Sequence, residues 1–156
     1  MRLFLDSSVL LAAAGSSKGA SRLLFDHAAR RGWQLLTADY CLREAEFNLP
    51  KVGEKAELGW NVIIRPAVMT TVTRLTLDRP LIYRATKDRP VVISALSQKA
   101  DYLLTLDRDD FHDLLGRSVY GLPIRTPGEF LREIVEPRSP NGERKVGAWL
   151  RRALRR

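Results

Sequence analysis

Arg2-Leu3-Phe4-Leu5-Asp6-Ser7-Ser8 opens the chain. Its first four residues read as a short buried strand. The acid and two serines that follow are helix-capping residue types, and Val9 to Ala14 continue as an apolar helix. A carboxylate placed directly after a buried strand is costly unless it is paired. Asp6 is thus either the cap of that helix or the ligand of a cation, and one side chain can serve both roles.

A second stretch repeats the pattern. In Asp101-Tyr102-Leu103-Leu104-Thr105-Leu106-Asp107, residues Asp101 to Leu106 read as a strand, and the acid Asp107 follows it at the start of a loop to Asp110. Between the two, strands and helices alternate. Ala20 to Arg31 reads as a helix that Gly32 stops, and Trp33 to Ala38 as a strand. Asp39 caps a helix from Tyr40 to Leu49 that Pro50 ends. Lys51 to Leu58 reads as helical and Asn61 to Arg65 as a third strand. Pro66 to Tyr83 resists assignment, although Val68 to Leu77 has the Thr/Val content of an extra strand or hairpin arm. Asp88-Arg89-Pro90 opens a helix through Lys99. Phe111 to Leu115 reads as a short helix, Leu122 to Thr126 as a last strand and Phe130 to Val135 as a helix.

This alternation predicts an α/β fold, a three-layer sandwich around a central, mostly parallel sheet of four or five strands. Residues 1–135 form one domain. Residues 136–156 form a linker and a basic amphipathic C-terminal helix, with Val146, Trp149, Leu150, Ala153 and Leu154 at helical spacing. Ligands of open parallel sheets bind beyond the carboxyl ends of the strands. That edge is where Asp6 and Asp107 are expected, with Glu44 and Asp88 on adjoining helices. Two carboxylates at about 4 Å repel by roughly 4 kcal/mol at an effective dielectric near 20. A divalent cation reverses that sign.

The 156 residues carry a net charge of +8, which points to a polyanionic partner. Residues 136–156 hold seven basic and two acidic side chains, hence five of those eight charges. No apolar run reaches the roughly 20 residues of a membrane span. The opening has no signal-peptide pattern, because Asp6 interrupts the apolar stretch. The lone Cys41 cannot form an internal disulfide, so a reducing, cytoplasmic setting is expected.

Taken together, Leu3-Phe4-Leu5-Asp6-Ser7-Ser8, Tyr40 to Leu49 with Glu44, Asp88 to Asp107, and Thr126-Pro127-Gly128-Glu129-Phe130-Leu131 resemble the PIN domain family across residues 2 to 134. The resemblance implies a metal-dependent ribonuclease fold with Asp6, Glu44, Asp88 and Asp107 as its acids. It also implies a kinship with VapC-type toxins, which are inhibited by a cognate antitoxin and are commonly homodimeric.

Residue by residue, Glu44 is preferred over Glu46, because two residues along a helix point about 200° apart. Asn48 shares the Glu44 face and is placed to hydrogen-bond to it. Asp88 combines a helix-start position with possible coordination. Thr105, Ser7 and Ser8 have hydroxyls that could orient Asp107. Asp110, next to Asp109, could reach a metal through water. Lys87 and Arg89 flank Asp88 and, with Arg22, are candidate RNA contacts. His27 and His112 form no metal-like pair. Trp33 and Trp60 read as packing residues. With no nucleophilic Ser, Cys or His arrangement, water is the expected attacker. Hard oxygen ligands favour Mg²⁺ or Mn²⁺.

The expected activity is divalent-metal-dependent endoribonuclease cleavage: metal-activated water attacks phosphorus in line. The resemblance implies products with 5′-phosphate and 3′-hydroxyl ends. The competing readings are a non-catalytic PIN-fold module that binds nucleic acid or protein, and an RNA-maturation or repair nuclease without an antitoxin.

Overall fold

The computed structural model describes residues 1–76, 78 and 89–135. Strands β1 (Arg2–Leu5), β2 (Gln34–Ala38), β3 (Val68–Thr71), β4 (Tyr102–Leu104), β5 (Ser118–Val119) and β6 (Leu122–Arg125) form one six-stranded sheet. Its order is β3-β2-β1-β4-β6-β5. All pairs are parallel except the β5–β6 hairpin. The expected architecture is therefore present, with six strands in place of four or five.

Helices α1 (Ser7–Gly15), α2 (Ala20–Arg31), α3 (Asp39–Val52), α4 (Glu54–Gly59), α5 (Arg65–Ala67), α6 (Arg89–Ser97) and α7 (Pro127–Ile134) complete the fold. The sheet separates two cores. Leu3, Leu5, Leu35 and Leu104 pack with residues of α1, α2, α3, α4 and α7. Phe4, Leu36, Leu103 and Ile124 pack with α6 and Phe111. Alternate residues of a strand face opposite sides, so a strand covered on both sides is apolar throughout. That is why Leu3, Phe4 and Leu5 are all fully buried.

Three local readings change. Residues 61–65 are not a strand: Trp60–Ile64 is a π-helical turn running into α5. Trp60 and Ile64, four apart, are buried while Val62 is 64% exposed, which is helical and not strand periodicity. The strand comes later, at Val68–Thr71, paired with β2 in register Leu35↔Val68. Pro50 lies inside α3 rather than ending it. The hydrogen bond it forgoes belongs to the carbonyl of Glu46, a residue on the exposed face of the helix. Phe111 to Leu115 is a series of turns around buried Phe111 in place of a helix.

Two glycines carry a backbone argument. Gly32 ends α2 at φ 65°, in the left-handed region, with its N–H on the carbonyl of Ala28. Gly59 lets α4 approach α1, since a Cβ there would stand 2.9 Å from the carbonyl oxygen of Ala14. Trp33 packs edge-on against Phe130, with ring centroids 5.3 Å apart, and Trp60 is buried, as expected of packing residues.

Candidate active site

β1 and β4 are adjacent, and their connections leave in opposite directions across the sheet. The crevice beyond their carboxyl ends is the switch point where such sheets bind ligands. Leu5 pairs with Leu104, so the next residues, Asp6 and Thr105, emerge side by side. The amide of Asp6 still donates to the carbonyl of Leu104, at 3.0 Å.

Asp6 is 5% exposed and caps α1: its Oδ1 accepts the amide of Ser7 at 2.8 Å. Its Oδ2 accepts the hydroxyls of Ser8 and Thr105, each at 2.8 Å. Burial raises the Asp6 carboxyl above the ordinary range, against those hydrogen bonds, and the negative charge of Glu44 adds to the rise. The cap and ligand readings of Asp6 thus need not compete.

Glu44 reaches the same place from α3. The hydroxyl of Ser7 donates to Glu44 Oε2 at 2.7 Å, with Asp6 Oδ1 on its other side at 3.5 Å. Glu46 is exposed and faces away, as the helical geometry required. Cys41, one turn before Glu44, is fully buried against this pair. Burial, with the charges of Asp6 and Glu44, pushes its thiol far up and disfavours the reactive thiolate. The sequence signal for Cys41 was its i, i+3 spacing to Glu44.

Asp107 stands at the same edge, two residues beyond Asp6's partner Thr105. Its amide donates to Thr105 Oγ1 at 3.0 Å, and its Oδ1 accepts the amides of Asp109 and Asp110. The Thr105 hydroxyl therefore serves both acids, accepting the backbone amide of Asp107 and donating to the Asp6 carboxylate. Ser8 was a minor candidate, yet it ties the two loops: it donates to Asp6 and accepts the amide of Leu106 at 3.0 Å. Ser7 serves Asp6 and Glu44 rather than Asp107.

Other assignments move. The side-chain amide of Asn48 donates to the backbone carbonyl of Glu44 at 2.9 Å, not to its carboxylate. Asp110 contributes its amide to Asp107. Arg22 donates to the carbonyl of Ala13 at 2.9 Å, near the far end of α1 from Asp6. Seven residues of helix separate those positions, about 10 Å. Arg89 begins α6, whose other end feeds β4, so this residue lies toward the carboxyl edge. Asp88 and Lys87, and the whole of 136–156, lie outside the described residues. His27 stacks on Trp33 and His112 contacts Asp113.

A family model described as "PIN domain" matches residues 2–109, more than two thirds of the chain. The chain belongs to the PIN domain family. The matched span of the PIN domain contains all four sequence-identified acids and stops short of the capped α7 turn. No curated protein and no solved structure matches the chain significantly.

PIN domains are generally nucleases, and those nucleases typically use divalent metals. Among the described residues, no three His, Cys, Asp or Glu side chains are grouped closely enough to hold a metal ion. Asp6 and Glu44 nonetheless suit one. They are hard oxygen donors, Asp6 Oδ1 accepts only one short hydrogen bond and so keeps an acceptor site, and the mutual repulsion of the two acids is what a divalent cation would relieve.

Proposed function

We propose that this PIN domain is a divalent-metal-dependent endoribonuclease that hydrolyses RNA phosphodiester bonds. The observation that carries the reading is the Asp6–Ser7–Glu44 bridge at the carboxyl edge of the central strands. A buried carboxylate beside a second one is destabilising in a structure with no use for it. Asp6, Glu44, Asp107 and, by sequence, Asp88 would hold Mg²⁺ or Mn²⁺. Such an ion supplies an acidified water and neutralises charge on phosphate oxygens. The chain's own part is to fix the carboxylates: Ser7 spaces Asp6 from Glu44, and Thr105 with Ser8 fixes Asp6 against the Asp107 loop.

The finer reading is a VapC-type toxin: a cytoplasmic homodimer with a cognate antitoxin, in which the domain of residues 1–135 cuts RNA and the basic residues 136–156 add attraction for it. The high positive charge supports the RNA partner, and no described helix is long and apolar enough to cross a membrane. The alternative is a PIN fold that binds RNA or protein without cutting it. An RNA-maturation nuclease without an antitoxin shares the chemistry of the first reading.

Incubation of RNA with the full chain and Mn²⁺ separates the readings. The parent cleaves and Asp6→Asn does not; equal cleavage by the two would defeat the nuclease assignment.

A further inference from the structure

Resting on the RNA reading above, we propose that the groove beside Glu44 is a stacking subsite for one unpaired base of single-stranded RNA. The groove measures about 450 Å³ and is walled by Tyr40, Glu44 and Phe47 of α3 and by Thr73 and Leu75 after β3. Clefts of about 300–1,000 Å³ suit small-molecule-sized groups. Tyr40, Glu44 and Phe47 follow one another at intervals of four and three residues and so share a helix face.

The groove displays aromatic surface that the core does not use. Phe47 is 77% exposed and Tyr40 38%. Leu75, opposite, is 72% exposed. Cations stand among the rings. The Lys51 ammonium lies 5.3 Å from the Phe47 ring centroid. Arg43 meets Asp39 at 3.3 Å with most of its side chain in solvent. Such surface pairs are weak. Asp39 also accepts the amides of Tyr40 and Thr73 and the Thr73 hydroxyl, so its hydrogen bonding does not depend on Arg43. Arg43 is then available to a phosphate.

Aromatic faces interleaved with cations are the working surface of single-strand binders: bases stack while the cations follow the backbone. Glu44 belongs both to this wall and to the acid pair. A base seated on Phe47 therefore places its neighbouring phosphodiester beside Glu44. A duplex offers no free base face for this seat, so the subsite selects unpaired strands.

The test uses the full chain carrying Asp6→Asn in EDTA, so that RNA stays intact. The probes are a fluorescein-labelled mixed-sequence RNA octamer, an abasic octamer of equal charge, and a duplex of equal length. The single-stranded octamer is expected to bind at least about fivefold more tightly than the abasic octamer and the duplex. Adding Phe47→Ala should weaken the octamer by a similar factor and leave the abasic octamer unchanged. Phe47→Trp should restore affinity, with tryptophan emission quenched as the octamer binds. Octamer affinity that Phe47→Ala leaves unaltered, or equal weakening of both single strands, overturns the proposal. So does a change in solution mass in Phe47→Ala without a change in RNA affinity, which would mark the groove as a protein interface. Failure of the parent chain to cut RNA would leave the octamer-to-abasic difference intact, so the two readings fail separately.

Discussion

The Ser7 hydroxyl donates to Glu44 Oε2 at 2.7 Å, which ties the first turn of α1 to the middle of α3 across 37 positions of sequence. Both helices start at the carboxyl edge of the sheet, one directly after β1 and the other directly after β2. The bridge is therefore a product of strand register, and its loss should be felt in chemistry more than in folding. Ser7→Ala is expected to lower the rate of RNA cleavage about 10- to 100-fold, as for other groups that orient metal-binding carboxylates. Single-turnover cleavage in Mn²⁺ measures it. An unchanged rate would show that Glu44 needs no orientation.

Asp6 makes a prediction whose sign differs with and without metal. Its carboxyl is raised by burial, so the fold disfavours the charged form. In the metal-free protein this contribution to stability is most favourable below the ordinary carboxylate range and declines as pH climbs through the raised value. Asp6→Asn removes that decline and still caps α1. In EDTA at pH 8 the variant should melt at least as high as the parent. With Mn²⁺ at 100 times its Kd, the parent alone should gain about 2.7 kcal/mol. Thermal scans from pH 4 to 8, with and without Mn²⁺, read both effects.

Asp39 behaves in the opposite sense. The hydroxyl and amide of Thr73 outweigh the modest effect of burial and hold its carboxyl below the usual range, helped by the amide of Tyr40. Its contribution is complete above an ordinary carboxylate pKa of about 3.9 and is lost as pH falls through the lowered value. Asp39→Ala should unfold at lower urea than the parent at pH 7, and the gap should close in strong acid. A gap that stays constant down to pH 2 would contradict the assignment.

Removal of residues 138–156 takes away seven basic side chains and one acidic one. RNA affinity should then fall less steeply with salt, since each lost phosphate contact removes about 0.7 from the logarithmic slope for single strands. Binding titrations between 50 and 200 mM salt give the slope. The same slope before and after truncation would place the RNA contacts wholly within residues 1–137.

The sheet was legible because its central strands are apolar on both faces and end in acids. Leu3 to Leu5 and Leu103 to Leu104 carry that signal almost unaided. The error at residues 61–65 came from β-branched content: Val62, Ile63 and Ile64 read as a strand until the burial of Trp60 and Ile64 reveals a helical repeat. β3 was obscured for a related reason. As an edge strand it is half exposed, with Met69 56% in solvent, and its pattern is weak. Around the candidate site, hydrogen-bond partnership was not legible. Ser7, Ser8 and Thr105 were all candidates from sequence, but which hydroxyl serves which carboxylate depends on the register Leu5↔Leu104. Asn48 shows the same limit: the right helix face, but the backbone oxygen as its acceptor.

Residue 6 also carries more charge than its capping role needs. The helix it begins would be satisfied by aspartate, asparagine, serine or threonine, and of these only aspartate incurs the cost of an ionised group in the interior. Folding alone would thus let descendants of this gene drift away from the acid. A lineage that keeps aspartate there pays a thermodynamic toll that only the use of its negative charge can justify, whereas a neutral cap would mark a copy that has retired from chemistry.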